Sequence, residues 1–320
     1  MCVFNAFCLN PEYSTTRMVT KEQPRIENDP SSKLQTQLFL PAHSERQGEG
    51  GLRTKGYFKK SFDGSPLVSV ITVVFNGHKY LEQTIQSVLN QSYGNIEYVI
   101  VDGGSTDGTL DVIRKYEHAI DYWVSEPDAG ISDAMNKGVR ISHGGYIMHL
   151  HSDDSLCRRE AIEVLLEKLS SSKRNWATGF YKYIDSDSNV VKTDKPREYS
   201  CFDMLLRNII RHQTTLVPRR VFEQVQFDTR FKYAMDYRFF LEVWEIMGEP
   251  FFAPEHITFF RLDGRSLSSN FYASIADEMY ARKLFRIEKR QRYWLPFDYG
   301  IYFLRLLKIF FYHSRGSIAR

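Results

Sequence analysis

The chain has 320 residues, 42% hydrophobic and 25% charged, an ordinary globular composition with room for one large core or two modest ones. Its net charge of +3 is unevenly spread: residues 281–320 hold ten Lys/Arg and two Asp/Glu, so this stretch carries +8 and the other 280 residues −5. A basic, aromatic tail on an acidic body argues against a nucleic-acid partner and for an anionic membrane surface. In chain order, residues 1–65 come first, polar and aperiodic around Gly48-Glu-Gly-Gly51, and read as a poorly ordered or surface-draped extension. Met1–Cys8 holds neither a basic run nor a long apolar one, so no secretion signal is expected. No stretch approaches the roughly 20 apolar residues that span a bilayer. The four cysteines lack the spacing of a zinc or redox site. Together these features predict a cytoplasmic protein, at most peripheral on a membrane face.

From Pro66 the pattern sharpens. A β-branched strand over 67–75 leads through Asn76-Gly77 into a helix that puts Leu81, Ile85, Val88 and Leu89 on one face. A strand at 96–101 precedes the turn Asp102-Gly-Gly-Ser-Thr-Asp-Gly-Thr109, then a helix with Leu110, Ile113 and Tyr116 inward. A short strand at 121–125 and the loop Glu126–Gly130 lead to a third helix, striped by Ile131, Ala134, Met135, Gly138 and Val139. The strand 146–151 then delivers Asp153-Asp154. Strands alternating with helices predict a mainly parallel sheet with right-handed crossovers. Beyond it come a helix at 160–170 and a hairpin pairing Trp176–Tyr183 with Val190–Thr193. A helix over Phe202–Ile210 follows, and a last strong helix starts near Asp236. One α/β domain over 66–270 is expected, in two parts at 66–155 and 156–270, with a helical appendage at 271–320.

In open α/β sheets, ligands bind beyond the carboxyl ends of the strands. Asn76, Asp102 and Asp153-Asp154 stand at three such ends. Gly103, Gly104 and Gly108 allow a ligand close to the backbone, but the turn is neither a dinucleotide fingerprint nor a P-loop. Asp102 is placed to accept from a nucleobase or ribose, and Asp107 either joins it or caps the next helix. Asp153-Asp154 suits Mg²⁺ or Mn²⁺ shared with substrate phosphates, the alternative being solvated turn residues.

Five segments in one order carry a resemblance: Val68–Asn76, Ser87-Val-Leu-Asn-Gln-Ser-Tyr93, Val101–Thr109, Ala134-Met-Asn-Lys-Gly138 and His151-Ser-Asp-Asp154. Over about residues 66–270 the chain resembles a family 2 glycosyltransferase of the GT-A fold, in its bacterial surface-polysaccharide branch. The resemblance implies a nucleotide-diphosphate-sugar donor, a divalent metal (Mn²⁺ or Mg²⁺) and inversion at the anomeric carbon. It implies that Phe75, Asn76, Asp102 and Gly103 surround the nucleotide, and that Asp153 and Asp154 meet metal and donor. Asp236, at the start of a helix in Ala234-Met-Asp-Tyr-Arg238, is the implied base, and a helix N-terminus favours its charged form. Lys137 is a candidate for neutralising the leaving diphosphate, the alternative being a solvated face. His212-Gln213 resembles a pair on the acceptor side, the alternative being a structural histidine. The resemblance makes 66–155 the donor-binding half and 156–270 the acceptor half.

Two positions depart from the family pattern. His151 stands where relatives carry Asp or Asn, and as an imidazole it suits Mn²⁺ better than Mg²⁺. Gly103 stands where many relatives have a second, base-reading Asp. No Gln-x-x-Arg-Trp signature is present, which disfavours a processive synthase. The tail Tyr299–Tyr312, with Arg305 and Lys308 spaced to share a face, could lie in a membrane interface beside a lipid-linked acceptor, or dock on the domain. The rival readings are a non-catalytic nucleotide-sugar scaffold or sensor, and a sugar nucleotidyltransferase. The latter needs a basic Gly-rich loop where the chain has Phe75-Asn-Gly-His-Lys79.

Overall fold

A computed structural model of the chain describes residues 6–262 and 271–316, with side chains through residue 307. Ten strands among these residues form one sheet. In chain order they are β1 (Gly48–Gly50), β2 (Val68–Val74), β3 (Ile96–Asp102), β4 (Tyr122–Ser125), β5 (Tyr146–His149) and β6 (Ser155–Leu156). β7 (Ala177–Ile184), β8 (Val190–Thr193), β9 (Thr215–Pro218) and β10 (Phe251–Arg261) complete it. The spatial order is β1-β4-β3-β2-β5-β9-β7-β10-β6, with β8 hairpinned onto β7. β4, β3, β2 and β5 run parallel, and β9 reverses direction beside β5. β10 runs parallel to β7.

Strands buried on both faces read as continuous apolar runs, and β2 and β3 are buried at every residue. On one face Val70, Val74, Tyr98 and Ile100 pack under α1 (His78–Leu89), α2 (Thr109–Lys115) and α4 (Ala161–Ser171). On the other, Ile71, Val73, Val99 and Val101 meet α3 (Ile131–Arg140), and the same core continues to α6 (Met235–Met247). Gly138 lets α3 lie against β2: a Cβ there would come within 2.4 Å of Ile71 Cγ2.

No strand is expected over β10 from its residue pattern, yet at 11 residues it is the longest of the described strands. The helix expected over Phe202–Ile210 is shorter, α5 (Cys201–Leu206), and Arg207 is extended. The N-terminal segment is tied to the domain by specific contacts. β1 extends the sheet beside β4, Ser14 Oγ donates to Val88 O (2.8 Å), and Leu34 and Leu40 enter the core. Arg53 is buried and pairs with Glu97 of β3 at 2.8 Å.

The tail forms α7 (Phe271–Glu288) and α8 (Leu295–Gly316). Buried Asp298 of α8 lies against Arg286 and Arg282 of α7, and Arg305 pairs with Glu278. Arg305 is therefore turned onto α7, while the side chain of Lys308 lies outside the described residues. The opposite face of α8 shows Phe303 and Leu304 to solvent. No described helix is long and apolar enough to cross a membrane.

Candidate active site

The carboxyl ends of β2, β3 and β5 open into a cavity of about 1340 Å³ that reaches across to β7, β10 and the start of α6. Phe75, Asn76, Gly103, His151, Asp153, Asp154, His212, Gln213 and Asp236 all line it. Asp102 and Lys137 do not.

Asn76 ends β2 in a left-handed conformation (φ 51°), which Asn tolerates better than most residues. Its N–H donates to Ser105 Oγ (2.7 Å) and its Oδ1 accepts from Thr106 N (2.9 Å), so it pins the glycine-rich turn. Asp102 departs from expectation. It is fully buried, and it accepts from Gly104 N (3.2 Å), Ser105 N (3.0 Å), Ser105 Oγ and Ser125 Oγ (2.6 Å). Its oxygens are committed to shaping the turn rather than to receiving a base or ribose. Lys137 Nζ sits 3.3 Å from Glu126 and 3.5 Å from Asp133 and donates to Pro127 O (3.0 Å), bracing the 126–130 loop.

The adjacent aspartates diverge. Asp153 lines the cavity. Asp154, expected beside it on a metal, is buried and accepts from Gln213 Nε2 (2.9 Å) and Arg261 N (3.2 Å). Burial, and then the neighbouring Asp153, hold its carboxyl well above the usual range. Asp154 borders the cavity as well, so it is a carboxyl tied into the fold that still lines the site. Arg261, which no sequence motif marks, completes the clamp. It donates to Asp153 O (3.2 Å), Asp185 O (2.8 Å) and Gln83 Oε1 (2.6 Å), and lies 4.0 Å over the Tyr80 ring.

Asp236 is oriented by Asn208 Nδ2, which donates to Oδ2 at 2.9 Å, and by Tyr237 N at 2.7 Å. His212 Nδ1 lies 3.6 Å from the same Oδ2. The His212 and His151 rings are 4.3 Å apart, and His151 Nε2 is buried without a partner. Burial, then His212 and His149, keep the His151 imidazole well below its ordinary value, so it is neutral. The pair His212-Gln213 thus joins the acidic turn to the α6 carboxylate.

The far wall is aromatic and cationic. Tyr181 stacks on Phe260 at 5.2 Å, Arg211 lies 5.3 Å over Tyr181, and Lys192 lies 4.8 Å over Tyr183. Spaced aromatics on the 176–183 hairpin are the signal that sequence alone could have offered for this wall.

No group of three or more His, Cys, Asp or Glu among the described residues could hold a metal alone. A metal carried by a diphosphate needs only one or two protein ligands, because phosphates and water complete it. Asp153, Asp154 and the unpartnered His151 Nε2, all on the cavity lining, fit that kind of site.

Against known proteins, residues 69–240 match Glycosyl transferase family 2. An uncharacterized glycosyltransferase of Haemophilus influenzae is 31% identical over 216 residues, covering 65% of this chain and 84% of that one. A candidate teichuronic acid biosynthesis glycosyltransferase of Bacillus subtilis, TuaG, is 34% identical over 168 residues, covering 50% and 66%. Among solved structures, S. aureus TarS 1-349 in complex with UDP-GlcNAc superposes with a TM-score of 0.59 at 17% identity, covering 69% of this chain and 66% of that one. The mannosyltransferase PcManGT of Pyrobaculum calidifontis, in complex with GDP-Man and Mn²⁺, superposes at 0.56 and 17% identity, covering 78% and 76%. The fold is GT-A, and the chain belongs to glycosyltransferase family 2.

Proposed function

We propose that the protein is an inverting glycosyltransferase that moves a sugar from a nucleotide-diphosphate donor to a hydroxyl of a glycan acceptor in surface-polysaccharide assembly. The observation that carries this reading is the Asp236 carboxylate. It is held by Asn208 and lines the same cavity as the acidic turn that follows β5. A base in that position takes the acceptor hydroxyl's proton as its oxygen attacks the anomeric carbon from the side opposite the leaving group. The bond to the diphosphate breaks as the new glycosidic bond forms. A divalent metal, Mn²⁺ or Mg²⁺, would be held by Asp153 and Asp154, with His151 available beside them, and would stabilise charge on the departing diphosphate. Phe75 and Asn76 border the donor end, and Tyr181, Phe260 and Arg211 border the acceptor end. The names of TuaG and of TarS with its bound UDP-GlcNAc support a sugar-nucleotide donor and a cell-surface glycan as product.

A lipid-linked acceptor accords with the tail. The face of α8 that α7 leaves open carries Phe297, Tyr299, Phe303 and Leu304, a set suited to lying among lipid headgroups at a cytoplasmic membrane face. The decisive experiment is Asp236→Asn: transfer should be abolished while donor binding, measured by calorimetry with Mn²⁺, persists. Transfer at the normal rate by that variant would remove the base assignment.

A further inference from the structure

With Asp102 committed to its own turn, the cavity needs another group to read whatever sits on Phe75. Phe75 closes β2 with 66% of its surface exposed, an open ring at the donor end. Across from it, Gly103 is held by its N–H to Val74 O at 2.9 Å. A Cβ on Gly103 would lie 3.4 Å from Phe75 Cδ2 and only 2.5 Å from Asp128 Oδ2. The space beside Phe75 that a side chain at 103 would take is thus filled by the Asp128 carboxylate, delivered from the other side by the β4–α3 loop.

That carboxylate is aimed by its surroundings. Oδ1 accepts from Gly130 N at 2.8 Å. The loop itself is anchored through Glu126, which pairs with Arg46 at 2.7 Å and Lys137 at 3.3 Å. The cations nearest the loop are therefore spent on Glu126, and Oδ2 keeps its acceptor capacity toward the cavity. A flat apolar ring with an acceptor-only carboxylate at its edge has a definite complement: a planar heterocycle that stacks and presents a ring N–H.

We propose that Asp128 is the base-reading residue, and that it selects a donor whose nucleobase presents an imide-type N–H, uracil or guanine. Cytosine and adenine present a bare ring nitrogen at the corresponding edge, and its lone pair would face the carboxylate. The inference rests on the nucleotide-sugar reading above and adds a base class to it. It also gives a physical role to the glycine at 103, since any Cβ there would displace the Asp128 oxygen.

The test is calorimetry on the full chain with Mn²⁺ and each of UDP, GDP, CDP and ADP. Either UDP or GDP should bind at least about tenfold more tightly than CDP and ADP, the scale of one hydrogen bond to a charged acceptor. Asp128→Asn should shrink that preference by about tenfold with an unchanged melting temperature. Gly103→Ala, which pushes on the same carboxylate, should shrink it in the same direction. A preference that survives in both variants, or a wild-type preference for CDP or ADP, overturns the assignment to Asp128 and leaves the donor reading standing. Failure of the wild type to bind any of the four removes the donor reading and the assignment with it.

Discussion

The side-chain amide of Gln213 donates to the buried carboxyl of Asp154 at 2.9 Å, so the turn after β5 is bolted to the segment that leads into β9. The two adjacent aspartates both line the cavity, but Asp154 is buried and tied to the protein while Asp153 is half-buried.

Truncating Asp154 strands the Gln213 amide and the Arg261 N–H, two buried donors worth about 1–3 kcal/mol each when left unpaired. Asp154→Ala should lower unfolding free energy by about 3 kcal/mol, read by urea denaturation. Asp153→Asn keeps the shape of a half-buried side chain. It should melt near the wild type while losing the Mn²⁺-dependent part of donor binding. Equal destabilisation by the two variants would contradict the division of roles.

Asn208 touches Asp236 but is not itself in the cavity lining, so it acts through the carboxylate it holds. Asn208→Ala should lower kcat by about 10- to 100-fold, the range lost when a general base is mispositioned. The donor dissociation constant should not change. A loss confined to donor affinity would place Asn208 elsewhere in the mechanism.

Residues 66–155 were legible because their strands are β-branched runs broken by glycine-rich turns, and those runs fold as parallel strands buried on both faces. β10 was not legible, because Pro254, Glu255 and His256 interrupt its apolar pattern. The strand accommodates them at a register shift between Phe252 and His256, where a ladder hydrogen bond can be spared. Asp102 stood at a strand end as expected, but sequence cannot reveal that Ser105 and Ser125 would take up its oxygens. The helix after Ser200 stops early for a local reason: Asn208 Oδ1 accepts from Ile210 N (3.2 Å), a turn that competes with helix. That same turn leaves Asn208 Nδ2 free to reach Asp236, a contact between residues 28 apart in sequence.

Arg261 gathers the acidic turn, the β7–β8 hairpin and α1 onto one guanidinium that is 1% exposed. A lysine has neither the planar fork nor the stacking surface over Tyr80. Arg261→Lys should therefore cost about 3 kcal/mol or more, as expected when a buried hydrogen-bond network is broken. It should also expose the Asp185–Asn189 turn to limited proteolysis. A variant as stable and as protease-resistant as the wild type would show that the hairpin is held by other contacts.

Stability in acid should be governed in part by Glu97, which sits with Arg53 of the N-terminal segment at 2.8 Å and His143 at 2.9 Å. Burial opposes its charge, but His143 and Arg53 outweigh that and hold the carboxyl well below the usual range. In the unfolded chain the group takes up a proton near pH 4.5, its ordinary value, whereas in the fold it stays ionised to lower pH. The unfolded state then binds the extra proton, so stability falls as pH falls. The contribution is complete above about pH 4.5 and is lost progressively below it, at up to about 1.4 kcal/mol per pH unit. Glu97→Gln leaves Arg53 buried without its anion, so that variant should be less stable at pH 7, by about 3 kcal/mol or more. It should also lack the acid-dependent decline that Glu97 adds. Thermal melts from pH 3 to pH 7 on both proteins make the comparison, and parallel curves below pH 4.5 would refute the assignment. Because Arg53 belongs to the N-terminal segment, the acid transition should begin with that segment leaving β3, seen as early hydrogen exchange in Leu52–Lys55.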